Sequence, residues 1–249
     1  IWQAKLGQAV TAQWLAAQGK QAPGLLVDAG QLSLSSPAPS SQALIAWDPV
    51  RWQNGQLSTA GRISNLPLAW AEHVAGDAMR NAGITGDVVF DGNWNAQLGQ
   101  QLKLQAGLTR TRGDLTVLRK DPATGIESRI KAGLREARLT VNNEGERIHA
   151  QLRWDSSQLG TATGDVNSQL TATRGTDGHT TWAWPESAPL DGHIKLNLPR
   201  VNAWSVLAPP GWRIHGSVNA DAKIAGTRAQ PQVTGTLGSP SATTTVSNR

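Results

Sequence analysis

Apolar and polar residues alternate with a period of two through most of this 249-residue chain. Over residues 84–98, Ile84, Gly86, Val88, Phe90, Gly92, Trp94, Ala96 and Leu98 fall on one side. Asp87, Asp91, Asn93, Asn95 and Gln97 fall on the other, and only Val89 interrupts the polar side. Successive side chains of a strand point to opposite faces, so the pattern predicts one long half-buried strand and not a helix. The alternation recurs in Leu102, Leu104, Ala106 and Leu108, in Ile148, Ala150, Leu152 and Trp154, and in Ile194, Leu196 and Leu198. It recurs again in Ile214, Gly216, Val218, Ala220, Ala222 and Ile224. Polar residues such as Lys103, Gln105, His149, Arg153, Lys195 and Asp221 occupy the intervening positions.

Between these runs lie turn-forming sequences: Gln53-Asn54-Gly55, Asp121-Pro122-Ala123-Thr124-Gly125, Asn142-Asn143-Glu144-Gly145 and Thr176-Asp177-Gly178. Strands joined in this way form an antiparallel meander with one apolar face. Composition fits a half-wetted sheet better than a closed globule. Hydrophobic residues make up 39%, but Leu, Ile, Val and Phe together supply only about a fifth, and Ala and Gly stand in the remaining positions. The aromatic set is Trp 11, Phe 1 and Tyr 0. With Cys 0 there is no disulfide scaffold, thiolate metal site or cysteine nucleophile. The net charge of +5 is scattered, which argues against a nucleic-acid partner. The basic stretch 110–138, with Arg129, Lys131 and Arg135, reads as a solvated face. The five His (73, 149, 179, 193 and 215) show no metal-ligand spacing. No nucleophile elbow, phosphate loop or paired-carboxylate signature occurs, so neither an enzyme nor a cofactor is expected.

Two stretches depart from the alternation. Leu66, Trp70, Val74 and Ala78 recur every four residues, with Asn65 as cap and Pro67 in the first turn, so a short helix is expected near 66–82. A second is expected near 201–207, where Asn202 is a cap and Pro209-Pro210 a stop. Residues 33–41, with Pro37 and Pro39, read as a loop, and the Ser/Thr-rich 238–249 as a disordered tail or a vector remnant. The helices belong to an internal repeat. One copy runs from Gly61-Arg62-Ile63-Ser64-Asn65-Leu66-Pro67 through a Trp-bearing segment to Gly83-Ile84-Thr85-Gly86-Asp87-Val88. The other runs from Gly192-His193-Ile194-Lys195-Leu196-Asn197-Leu198-Pro199 through another to Gly216-Ser217-Val218.

The second copy continues through Ala220-Asp221-Ala222-Lys223-Ile224-Ala225-Gly226-Thr227 to Pro231-Gln232-Val233-Thr234-Gly235-Thr236-Leu237. This phrase resembles the repeat of the TamB family, the inner-membrane subunit of the translocation and assembly module. So do Leu66-Pro67-Leu68-Ala69-Trp70 and Gly86-Asp87-Val88-Val89-Phe90-Asp91-Gly92. The likeness covers residues 55–237 and is shared in style with AsmA-like bridge proteins. It implies an all-β chain with one or two short helices, a long antiparallel meander curled into a U-shaped, taco-like trough with an apolar interior. Residues 1–54 would be its N-terminal strands and 55–237 its repeat-bearing body. It further implies an interior periplasmic piece of a Gram-negative protein anchored in the inner membrane. The implied role is to shield phospholipid acyl chains on their way to the outer membrane, with the barrel protein TamA as partner.

The lipid-facing positions expected on these grounds are Val88, Phe90, Leu102, Leu104, Leu108, Ile148, Leu152, Ile194, Leu196, Leu198, Val218 and Ile224. Tryptophans on strands read first as packing residues; the sharper alternative places Trp182 and Trp184 at the groove mouth, their indole N–H groups reaching water or a headgroup. A closed β-sandwich core would use the same apolar row. The runner-up to the lipid reading is a scaffold that offers sheet edges to nascent outer-membrane or autotransporter strands, working with TamA.

Overall fold

The computed structural model describes residues 2–17, 19, 22–37, 40–71, 84–120, 127–175, 180–199, 212–238 and 243–246. In chain order the first strands are β1 (Gln3–Leu6), β2 (Ala12–Leu15), β3 (Gly24–Val27), β4 (Gly30–Pro37), β5 (Ser40–Trp47), β6 (Val50–Gln53) and β7 (Gln56–Pro67). A 3-10 turn over Leu68–Ala71 follows. Next come β8 (Ile84–Gly86), β9 (Val89–Leu98), β10 (Lys103–Arg112), β11 (Leu115–Lys120), β12 (Glu127–Lys131) and β13 (Leu134–Glu144). The remainder holds β14 (Arg147–Ser156), β15 (Gly160–Gln169), β16 (Thr171–Arg174), β17 (Thr180–Ala183), β18 (Leu190–Leu198), β19 (Trp212–His215), β20 (Val218–Gly226), β21 (Pro231–Gly238) and β22 (Thr243–Val246).

Fifteen strands form one antiparallel sheet. Its main path runs β1-β4-β5-β7-β9-β10-β13-β14-β15-β18-β20-β21, and β6, β3 and β2 branch from β7. Three smaller ladders stand apart: β12-β11-β8, β16-β17 and β19-β22. The architecture is all-β, as the alternation predicts, and the main sheet does not close into a barrel.

The small sheet β12-β11-β8 is made from the same chain runs as β9, β10 and β13, bent at a corner. The breaks fall at Asp87-Val88, Gly113-Asp114 and Ala132-Gly133. Asp114 holds the corner. Its Oδ1 accepts the N–H groups of Leu115 and Leu134, each at 2.8 Å, and its Oδ2 accepts that of Gly133 at 3.0 Å. The N–H of Asp114 in turn donates to Asp87 Oδ1 at 2.8 Å. Gly113 has a φ of +85°, and a Cβ there would sit 2.1 Å from the Asp87 carbonyl oxygen, so only glycine fits. Beneath the corner lies the compact core: Val88, Leu115, Val117, Ala132, Leu134, Ala137 and Leu159, flanked by Leu68, Phe90 and Trp154. Because both sides of the chain are covered here, Val88 and Val89 are both buried. That double burial is why Val89 interrupts the alternation, and residues 84–98 are two strands around a corner where one was expected.

Other expectations also shift. Leu66 and Pro67 close β7, and the expected helix begins as the 3-10 turn, its remainder lying outside the described residues. The helix expected near 201–207 lies outside them entirely. Residues 33–41 are strand on both sides of residues 38–39, because Leu32 and Leu34 continue the alternation and pair with Ile45 and Ala43. The Ser/Thr-rich tail contains β22, whose β-branched Thr243-Thr244-Thr245-Val246 pairs with β19.

Candidate functional site

Antiparallel register places directly paired residues on the same face. Followed across the sheet, one line of partners runs Leu6, Leu32, Ile45, Ile63, Gly92, Leu108, Leu139, Leu152, Gly164, Ile194, Ala222, Gly235. All twelve strands of the main path contribute an apolar residue or a glycine. With strands ~4.8 Å apart the line is about 50 Å long. Alongside it, two residues away on each strand, runs Gly30, Trp47, Gly61, Trp94, Ala106, Val141, Ala150, Val166, Gly192, Ile224, Val233. The period-two rows of separate strands are thus assembled into one face.

The middle of that face is uncovered. Leu139 and Leu152, paired with each other between the two ends of the sheet, are 43% and 46% exposed. A closed sandwich core would bury both. The exposure continues to the final strand, where Val233 and Leu237 stand 65% and 73% exposed.

The few polar residues on this face between β7 and β21 are turned to local partners. Thr59 Oγ1 accepts the Trp94 indole N–H at 3.2 Å. The Arg110 guanidinium donates to the carbonyls of Gly113 and Arg135 at the corner. Asn143 donates to the Leu102 and Gly145 carbonyls and accepts the Leu104 N–H. Ser156 Oγ accepts the Leu159 N–H at 2.9 Å, and Ser168 donates to the Pro189 carbonyl at 2.9 Å. Such satisfied groups leave the face apolar in effect. On the opposite face, by contrast, Lys195 lies 3.9 Å from Asp221, His193 also meets Asp221, and His149 Nδ1 lies 2.8 Å from Asn167 Oδ1.

Ten of the twelve expected positions lie on the apolar face within main-sheet strands: Phe90, Leu104, Leu108, Ile148, Leu152, Ile194, Leu196, Leu198, Val218 and Ile224. Two do not. Val88 is fully buried in the corner core, and Leu102, 7% exposed, precedes β10. Leu102 and Leu104 meet Ala172 and Trp182 in a cleft of about 690 Å³ where the β16-β17 hairpin crosses the strand ends. Residues the alternation left unassigned, Leu139 and Val141, are central to the face. Their signal was present, since Leu134, Ala137, Leu139 and Val141 flank charged residues, but the bulge between Leu134 and Glu136 shifts the phase.

Four of the tryptophans serve the sheet itself. Trp47 lies over Gly30 and Trp94 over Gly61, each ring 2.3 Å from where the glycine's Cβ would stand. Large rings across glycines fill the small positions of the neighbouring strand. The indole N–H of Trp182 donates to the Gly99 carbonyl at 2.8 Å and that of Trp184 to Ser168 Oγ at 2.8 Å. Neither N–H is therefore directed to water or a headgroup, which departs from the groove-mouth alternative and agrees with the packing reading. The Arg228 guanidinium stacks 5.3 Å from the Trp184 ring. No helix among the described residues is long and apolar enough to cross a membrane. No family model matches the chain, and no significant match was found among curated proteins or solved structures.

Proposed function

We propose that the uncovered apolar face is a bed for lipid acyl chains, with the sheet curled about it as an open trough. The observation that carries this reading is the unbroken apolar line from Leu6 to Gly235, exposed at Leu139 and Leu152. Contiguous apolar area on this scale on a soluble face marks a binding surface. Each methylene taken from water contributes ~0.8 kcal/mol, so a long chain is held by its length and without chemical specificity. Glycine and alanine between the leucines leave room for it.

In this reading the chain is a non-enzymatic, periplasmic segment of a TamB-like bridge. It carries phospholipid towards the outer membrane alongside a barrel partner of the TamA kind, and needs no cofactor. The repeat-bearing body and the resemblance of its phrases to that family support the assignment. Native mass spectrometry of the purified chain tests it. Phospholipid adducts, lost on delipidation and regained from vesicles, are expected. A chain that purifies lipid-free and takes up none from vesicles overturns the proposal.

A further inference from the structure

The β16–β17 hairpin is an excursion from the main sheet. β15 and β18 pair directly with each other although residues 170–189 intervene. Among the described residues β16 and β17 pair only with each other. The excursion lies over the apolar face. Ala172 and Trp182, paired across the hairpin, line the cleft of about 690 Å³ together with Leu102 and Leu104. Leu104 is at once a residue of the apolar face and a wall of this cleft, so the two are continuous. Leu102 in the cleft is 7% exposed, against 43% and 46% for Leu139 and Leu152 in the open middle. The face is therefore roofed at one end of its strands and bare at its centre.

The two sides of the hairpin are fastened unequally. At its root the Leu170 N–H donates to the Glu146 carbonyl at 2.7 Å, and the Trp184 indole N–H donates to Ser168 Oγ. The β20–β21 turn clasps the returning chain. The N–H groups of Arg228 and Ala229 donate to the carbonyls of Ala188 and Glu186 at 2.9 and 3.0 Å, and the Arg228 guanidinium stacks on the Trp184 ring. On the far side, among the described residues, one hydrogen bond holds the hairpin across the face. The Trp182 indole N–H donates at 2.8 Å to the carbonyl of Gly99, in the turn between β9 and β10. The strands β10, β13 and β14 lie between that turn and β15, a span of about 15–20 Å. One neutral hydrogen bond shifts an equilibrium by roughly threefold to tenfold, whereas freeing the root breaks several at once. The root is a hinge, and Trp182 is a latch.

We infer that the β16–β17 hairpin is a strap across the acyl bed. An acyl chain lies beneath it in the cleft, between Leu102, Leu104 and the Trp182 ring, and Trp182 releases Gly99 to admit the chain from the side. The inference rests on the acyl-bed reading and adds to it the place where a chain is enclosed and the step that lets it in. Because the bed is open at Leu139 and Leu152, only the strapped end needs such a step. Enclosure takes the chain out of water on both sides, so each methylene is held more fully under the strap than on the open bed. Entry from the side also spares the headgroup a passage through an apolar cleft.

The chain has no cysteine of its own, so the strap can be locked by introduced ones. Gln101 and Ala172 both line the cleft, one from the sheet and one from the hairpin. A variant with Gln101→Cys and Ala172→Cys is joined by a short bis-maleimide with a reducible spacer. Its uptake of a fluorescent phospholipid from phosphatidylethanolamine–phosphatidylglycerol vesicles is compared with that of the unmodified chain. Joining should slow uptake by about tenfold or more, and reduction of the spacer should restore it. Each single-cysteine variant, treated with the same reagent, should keep the original rate. Trp182→Phe removes the latch bond, keeps a ring, and should speed uptake roughly threefold. Uptake unaffected by joining, equal slowing in the single-cysteine variants, or Trp182→Phe no faster than wild type each overturns the strap and leaves the acyl bed standing. No uptake by the unmodified chain overturns both.

Discussion

Replacing Leu152 by Asp distinguishes an open apolar face from a hidden core. Leu152 lies opposite Leu139 and Gly164 and is 46% exposed. Full burial of a leucine contributes about 1.5–3 kcal/mol, so the half-buried side chain stands to lose ~1 kcal/mol. Asp in a strand costs up to about 1 kcal/mol more, while its carboxylate remains in water. The total is ~1–2 kcal/mol, which moves a urea midpoint by roughly 0.5–1 M at a slope near 2 kcal/mol/M. Leu159 in the corner core is 2% exposed. The same change there buries an unpaired charge and empties the site, and is expected to cost about 5 kcal/mol or more. Urea titration followed by tryptophan fluorescence compares the two. Leu152→Asp should fold and unfold cooperatively with a modest midpoint shift, and Leu159→Asp should not fold. Equal collapse of both variants would refute the argument, because Leu152 would then be covered by something.

Three further outcomes follow from the corner and the Trp–Gly contacts. Asp114→Ala strips the acceptor from three backbone N–H groups and should cost about 3 kcal/mol, with Asp114→Asn milder, both read from urea midpoints. The Asp114 N–H beside Asp87 holds its carboxyl below the ordinary value of 3.8; desolvation opposes this, and the backbone N–H of Asp87, Lys131 and Arg112 add lesser lowering effects. A depressed folded value means that this contribution is fully present above 3.8 and is lost as pH falls through the folded value. The stability gap between wild type and Asp87→Asn should therefore narrow from pH 7 to pH 3, and a pH-independent gap contradicts the sign. Gly61→Ala forces a Cβ into the Trp94 ring and the Ala46 carbonyl, 2.5 Å away, and should cost ~1–3 kcal/mol with a shift in tryptophan emission.

The alternation made the faces legible because a strand's period is two wherever only one side is covered. Ten of the twelve positions it marks share the assembled face. It failed where two layers meet. Val88 kept the phase of Phe90 yet went into the corner core, and Val89 broke the phase for the same reason. The corner depends on Asp87, Gly113 and Asp114 acting together across three strands, and no local pattern in any one of them announces that. The 3-10 turn at Leu68–Ala71 shares its first-turn chemistry with an α-helix, so Asn65 and Pro67 were misleading. Asn65 instead takes a positive φ of 58° where β7 shifts register against β9, its N–H donating to Asp91 Oδ1. The repeat was legible as sequence, but that each copy carries a small ladder, β8 with β11 and β19 with β22, needed the pairings.

Site-specific photo-crosslinking separates an acyl-chain bed from an ordinary sheet face. A photoreactive residue placed in turn at Leu104, Leu152 and Leu196, and at their neighbours Lys103, Arg153 and Lys195, is irradiated with phospholipid vesicles present. Phospholipid labelling is expected at the first three positions and none at the second three, an alternation with the period of the strand. Equal labelling of the two sets, or labelling of the polar set alone, contradicts an acyl-chain bed on this face.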